Sequence, residues 1–229
     1  MRLARWAGAV YLAFIAAFAA ATFFESKPIV HNDAAGTAKA ILAAQEFFRL
    51  GVVMELVAAL LFLLAAWMLY VLLKPAGRNL ALLFLLLNAV GVGIECVDVL
   101  IRFTALTIDR TVASTALQAD QLQALALIFL KFSDNGNLVT ALFYSVWLFP
   151  LGFLVIKSRL LPKIFGILLF ADGISLLICF VQMWFFPGYE RWMYPLYPVM
   201  FVAEFGLGLW LVIKGARVVE PASSASASQ

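Results

Sequence analysis

Long apolar runs alternate along this chain with short clusters of polar residues and helix breakers. Trp6 to Phe24 is the first run. The second ends at Leu73, where Lys74-Pro75-Ala76-Gly77-Arg78-Asn79 forms a compact turn. Counting about 20 residues back, the length of one crossing, puts its far end near Met54. Leu80 to Phe103, Leu125 to Ile156, Ile164 to Phe186 and Pro198 to Ile213 are the remaining four runs. The fourth is too long for one simple crossing. Its Ser133-Asp134-Asn135-Gly136-Asn137 cluster predicts an interruption, and Pro150 predicts a kink nearer the other end. The pattern predicts an all-α fold, a six-transmembrane-helix bundle forming one domain over residues 1–219, with a disordered Ser/Ala tail over 220–229.

The connections follow from the same pattern. Met1 to Arg5 is a basic start, and Ala19 to Ala21 are small, so the first run has the outline of a secretory signal. It is longer than a signal core and ends in bulky Phe23 and Phe24, which predicts a retained first span. Glu25 to Gln45 reads as a polar connection, loop and then the start of a helix. Thr104 to Gln123 is a second polar connection. Pro187 to Pro198 is rich in Tyr, Trp and Pro, as an interfacial aromatic belt would be.

Composition removes the alternatives. Of 229 residues, 65% are hydrophobic and 13% charged, with a mean hydropathy of +1.02. A soluble domain needs more polar surface, and a disordered chain would be charged and poor in aromatics. The net charge of +3 is too small to suggest a nucleic-acid partner. Its distribution is more informative. Arg2, Arg5, Lys74, Arg78, Lys157, Arg159, Lys163, Lys214 and Arg217 all fall on one side of six alternating spans. The positive-inside rule makes that side, and both termini, cytoplasmic.

Candidate chemistry lies in the charges within the spans. Asn88, Glu95, Asp98 and Arg102 fall within roughly 80° of one helical face, with Gly91 beside them. Glu95 lies about 22 Å from the inner end of its helix. Glu55, Lys131, Asp134 and Asn137 fall at similar depth, and Glu204 falls in the outer half of the last span. Asp172 lies deeper, about 12 Å from the inner end, on a face with Ser175, Cys179 and Gln182. Charges in hydrocarbon rarely face lipid. The expected site is a polar pocket open to the outside, binding its ligand through Glu95, Asp98, Arg102, Asp172, Glu204 and Asn88, the last with Asp172 at its floor. Arg102 would meet an anionic group.

Ion pairing competes with this reading. Asp98 with Arg102, Lys131 with Asp134, and Glu46 with Arg49 have helical pair spacing and need bind nothing else. Glu95, Asp172 and Glu204 have no such neighbour, so each needs a partner elsewhere, a proton or a ligand. No metal, cofactor or catalytic residue is predicted. His31 is the single histidine, Cys96 and Cys179 sit in apolar runs as free thiols, and no G-x-S-x-G or P-loop occurs. The expected partners are the bilayer and a small polar or lipidic ligand, with a homo-oligomer as a route to more helices. Binding or transport leads. A structural or regulatory partner protein and an intramembrane lipid-modifying enzyme remain as rivals, and the lack of a visible inverted repeat weakens transport.

Several segments resemble, in order, the bacterial multi-pass family catalogued as domain of unknown function 4386. They are RWAGAVYLAF, FFRLGVVMELVAALLFLLAAWMLYVLLKPAGRNLALL, VIKSRLLPKIFGILLFADG and AEFGLGLWLVIKG. The most specific parts are K-S-x-x-L-P-K-x-x-G at Lys157 to Gly166 and A-E-x-x-L-x-L-W-L at Ala203 to Leu211. The resemblance implies a six-helix protein of the bacterial cell membrane and carries over no catalytic residue.

Overall fold

The structure, a computed structural model, describes residues 2–26, 45–107, 118–186 and 188–216. The described residues form helices and turns with no strand. They are α1 (Arg2–Ser26), α2 (Gln45–Leu73), α3 (Arg78–Thr107), α4 (Ala119–Val146), α5 (Leu148–Ser158), α6 (Lys163–Phe185), a 3-10 segment (Glu190–Leu196) and α7 (Tyr197–Ile213). Six spans are long and apolar enough to cross a membrane, with α4 and α5 making up the fourth. The protein is a six-helix transmembrane bundle.

Each span packs against its neighbours in sequence, and α7 closes the ring against α1. Close approach at that seam depends on glycine, because a Cβ on Gly8 would lie 2.6 Å from the Gly208 carbonyl oxygen. That contact sets the start of α1 beside the end of α7. Lys157 approaches Gly77, so the turn before α3 and the turn before α6 share the same end of the bundle. This basic end also carries Arg2, Arg5 and Lys214. Arg159, at φ +56°, ends α5, and Pro162 caps α6.

The polarity is that of a protein dissolved in lipid. Large apolar side chains such as Leu60, Leu100, Ile167, Phe185 and Phe201 are exposed, while Glu55, Asn88, Glu95, Asp98, Arg102 and Asp172 are buried. The core is aromatic and leucine-rich around Tyr11, Phe62, Phe84, Trp147, Leu148 and Leu207. Backbone hydrogen bonds close within the helices, so the outside can remain apolar.

The structure corrects three boundaries. First, α4 runs unbroken through Ser133 to Asn137; the break comes at Trp147 instead. Pro150 explains this, since a proline has no N–H for the carbonyl four residues earlier and its ring crowds that carbonyl, here Val146, the last residue of α4. Second, α2 begins at Gln45, well before Met54, so Glu46 and Arg49 stand on the helix, paired at 3.4 Å. Third, Glu25 belongs to the last turn of α1 and not to the connection after it. The connection holding His31, the Asp134 side chain and the tail after residue 216 lie outside the described residues.

Candidate functional site

Two groups of polar side chains occupy the interior. The first gathers at the end away from the basic turns. Arg102, on α3, donates through Nη1 to Glu25 Oε2 at 2.7 Å and through Nη2 to Glu55 Oε1. Asp98, one turn back on α3, stands 3.7 Å from Nη2. A guanidinium has two faces of its fork to offer, and here carboxylates from α1 and α2 take both. The expected Asp98–Arg102 pair is present, but it is the longest of the three contacts.

Glycines make room for these charges. A Cβ on Gly51 would lie 2.6 Å from Glu25 Cγ, and one on Gly136 would lie 2.5 Å from Asp98 Oδ1. This accounts for the continuity of α4 across a stretch of helix-breaking composition: the glycine is where α4 meets Asp98. The same logic holds about two turns deeper. A Cβ on Gly91 would lie 2.5 Å from the Tyr144 ring, and Tyr144 uses the space to donate its hydroxyl to Glu95 Oε2.

The second group lies deeper. Tyr11, Asp172 and Glu204 each stand about 14 Å along the axis from the basic end of their helix. Tyr11 brings its hydroxyl into electrostatic contact with Glu204 and Asp172, short of a hydrogen bond of normal geometry. Asp172 is fully buried, and neither carboxyl oxygen has a hydrogen-bond partner. The charge that acts on it is that of another acid, Glu204.

Two cavities connect with these groups. One, of about 310 Å³, is bordered by Phe18, Thr22, Glu25, Glu55, Arg102 and Asn137. The other, of about 320 Å³, has Glu95 and Glu204 among walls that include Phe14, Phe18, Phe62, Tyr144, Trp147, Tyr197 and Phe201. Phe18 lines both. Phe14 stacks on Phe62 at 4.2 Å between centroids, and Phe62 meets Tyr144 and Trp147 edge-on at 4.9 and 5.0 Å. A larger groove of about 690 Å³ lies between α6 and the 3-10 segment, but among the described residues its wall has no charged group, and it opens among exposed apolar residues. The aromatic cavity, with its two acids, is the better site.

The expected single pocket is therefore divided. Glu95 and Glu204 share the aromatic cavity. Asp98 and Arg102 belong to the charge cluster, and Arg102 is already committed to carboxylates. Asp172 and Asn88 border neither cavity; Asn88 is fully buried, with no hydrogen-bond partner at either end of its amide. The cysteines are free and only partly buried. Among the described residues no group of three His, Cys, Asp or Glu is placed to hold a metal. Tyr189, Trp192 and Tyr194 are exposed near the rim, while Tyr197 also reaches the cavity.

Sequence reasoning did not single out Glu25, Tyr11, Tyr144 or Phe18. Glu25 carried a signal, an acid directly after an apolar run. The tyrosines and Phe18 carried none, since an aromatic in a span is most often packing.

The family profile described as Domain of unknown function (DUF4386) matches residues 6–215, and the chain belongs to that family. No curated protein and no solved structure matches it.

Proposed function

We propose, taking membership in this family as a premise for architecture alone, that the protein binds a small polar or lipidic ligand in the cavity between Glu95 and Glu204. The single observation behind this reading is that the cavity places two acidic groups from two different spans in one aromatic enclosure of about 320 Å³. That volume falls at the small end of ligand pockets, which are concave, mostly apolar and equipped with a few convergent polar groups. Acids within a membrane are expensive and mark ligand or ion pathways more often than packing. The distribution of cations supports an inner-membrane protein with its basic end and both termini in the cytoplasm, and a cavity nearer the outer leaflet.

Native mass spectrometry of the full chain released from nanodiscs tests the reading. A retained species of defined mass is expected, lost when Leu176→Trp, at a residue that also lines the cavity, fills it, and depleted by Glu95→Gln. Bare protein from wild-type nanodiscs would overturn it.

A structural role has its own support. Arg102 pairs through both terminal nitrogens with carboxylates from α1, α2 and α3, an arrangement that holds three helices together and requires no ligand. The two readings apply to different parts of the bundle.

A further inference from the structure

We infer that the cavity between Glu95 and Glu204 takes an organic ammonium ion carrying an oxygen acceptor. The inference rests on the cavity being the ligand site and adds the ligand's chemical class.

Charge is the first consideration. The described wall of the cavity contributes Glu95 from α3 and Glu204 from α7, and no Lys, Arg or His. Asp172, outside the cavity wall, adds a third acid that acts on Glu204. Arg102 acts on Glu95 from a distance, but its guanidinium is held by Glu25, Glu55 and Asp98. When these acids are ionised, an anionic ligand would enter against the surplus, and a neutral one would leave it uncompensated. A cation answers it.

The walls narrow the kind of cation. A metal ion would need several oxygen ligands at short range, and among the described residues no suitable group of three gathers. Aromatic side chains instead make up much of the wall: Phe14, Phe18, Tyr144, Tyr197 and Phe201 line the cavity, with Phe62 and Trp147 buried among them. Ring faces attract a bulky ammonium ion, most strongly when it is desolvated. Such an ion also fills apolar space that a hydrated metal would leave wet.

The third feature concerns a donor. Trp147 is fully buried, it lines this cavity, and its indole N–H has no acceptor in the protein. A buried donor left unmade is costly, and indole nitrogen can only donate. A ligand oxygen that reached it would supply the missing acceptor. The ligand is thus cationic at one point and hydrogen-bond accepting at another, within about 320 Å³.

The test uses the full chain in nanodiscs and tritiated acetylcholine as the probe, because it joins a quaternary ammonium to an ester. Two competitors each remove one feature: the uncharged isostere, with carbon in place of the ammonium nitrogen, and pentyltrimethylammonium, which keeps the charge without oxygen. Saturable binding absent from empty nanodiscs is expected, with the uncharged isostere weaker by about tenfold or more. Pentyltrimethylammonium should be weaker by about fivefold, the worth of one hydrogen bond, and Trp147→Phe should erase that difference. Glu95→Gln and Glu204→Gln should each weaken the probe, with folding checked by thermal unfolding.

The competitor series needs no variant, so a misfolded mutant does not leave the question open. An uncharged isostere that competes as well as acetylcholine overturns the inference. So does an absence of probe binding while wild-type protein still retains a species that Leu176→Trp removes; in that case the cavity remains a ligand site of another class. If no probe binds and no species is retained, the cavity reading falls with it.

Discussion

At the end away from the basic turns, Glu25, Glu55 and Asp98 converge on Arg102. Roughly 20 Å deeper by helix rise, Asp172 and Glu204 act on each other and on the Tyr11 hydroxyl, and among the described residues no ion pair with a cation forms there. Both regions put acids where water is scarce. They differ in whether a cation meets them. The outer region supplies its acids with a cation from within the protein, which fits a role in joining α1, α2 and α3. The inner region leaves its charges open, which fits a role completed by something else. A count of buried acids would treat the two as equivalent; the geometry separates them.

The sharpest way to break this comparison is to remove the cation. Arg102→Ala leaves three acids facing one another in a desolvated site, and losing one partner of a buried pair typically costs about 3–5 kcal/mol. Thermal or denaturant unfolding in a fixed detergent should show a loss of that order, with Arg102→Lys recovering part of it because the charge remains and the fork is lost. Unchanged stability in Arg102→Ala would mean that the cluster does not hold the helices together.

Asp172→Leu should act in the opposite direction. Neither oxygen of this fully buried carboxyl has a hydrogen-bond partner, and an unsatisfied buried polar group costs about 1–3 kcal/mol. An isosteric apolar side chain should therefore stabilise the bundle by about that much in the same unfolding assay. A gain in stability here alongside a loss at Arg102 would establish the inner acid as one kept at the expense of stability. A loss at both positions would make the two regions alike, and the distinction drawn between them would go.

How much of this was legible in the sequence depends on which interactions are local. The six spans were, because length and apolar content decide them without reference to tertiary structure. So was the helical face carrying Glu95, Asp98 and Arg102, since all three lie on one helix and all three are buried. The partners were not. Arg102 meets Glu25 across 77 positions and Glu55 across 47, and Glu95 meets Tyr144 across 49. No spacing rule on a single helix reaches that far. The division of the polar residues into two groups is likewise a product of ring closure, since it requires α7 to return beside α1 and bring Glu204 to Tyr11. The uninterrupted α4 is a third case: Gly136 reads locally as a breaker, yet its place is set by Asp98 on another helix.

The smallest expected effect marks the other boundary of the comparison. Glu46 and Arg49 form an i,i+3 pair at 3.4 Å, as their spacing predicts, but the Glu46 side chain is 85% exposed. Here a cation does face an acid, as in the outer cluster, so pairing alone would assign this contact a similar role. Desolvation is what differs. An exposed helical pair is screened and loses side-chain entropy on forming, leaving roughly 0.2–0.5 kcal/mol. Glu46→Ala should therefore shift unfolding by less than about 0.5 kcal/mol, and raising the salt concentration should shrink even that difference. An effect approaching that of Arg102→Ala would show that the number of ion pairs, and not their burial among packed helices, governs stability in this bundle.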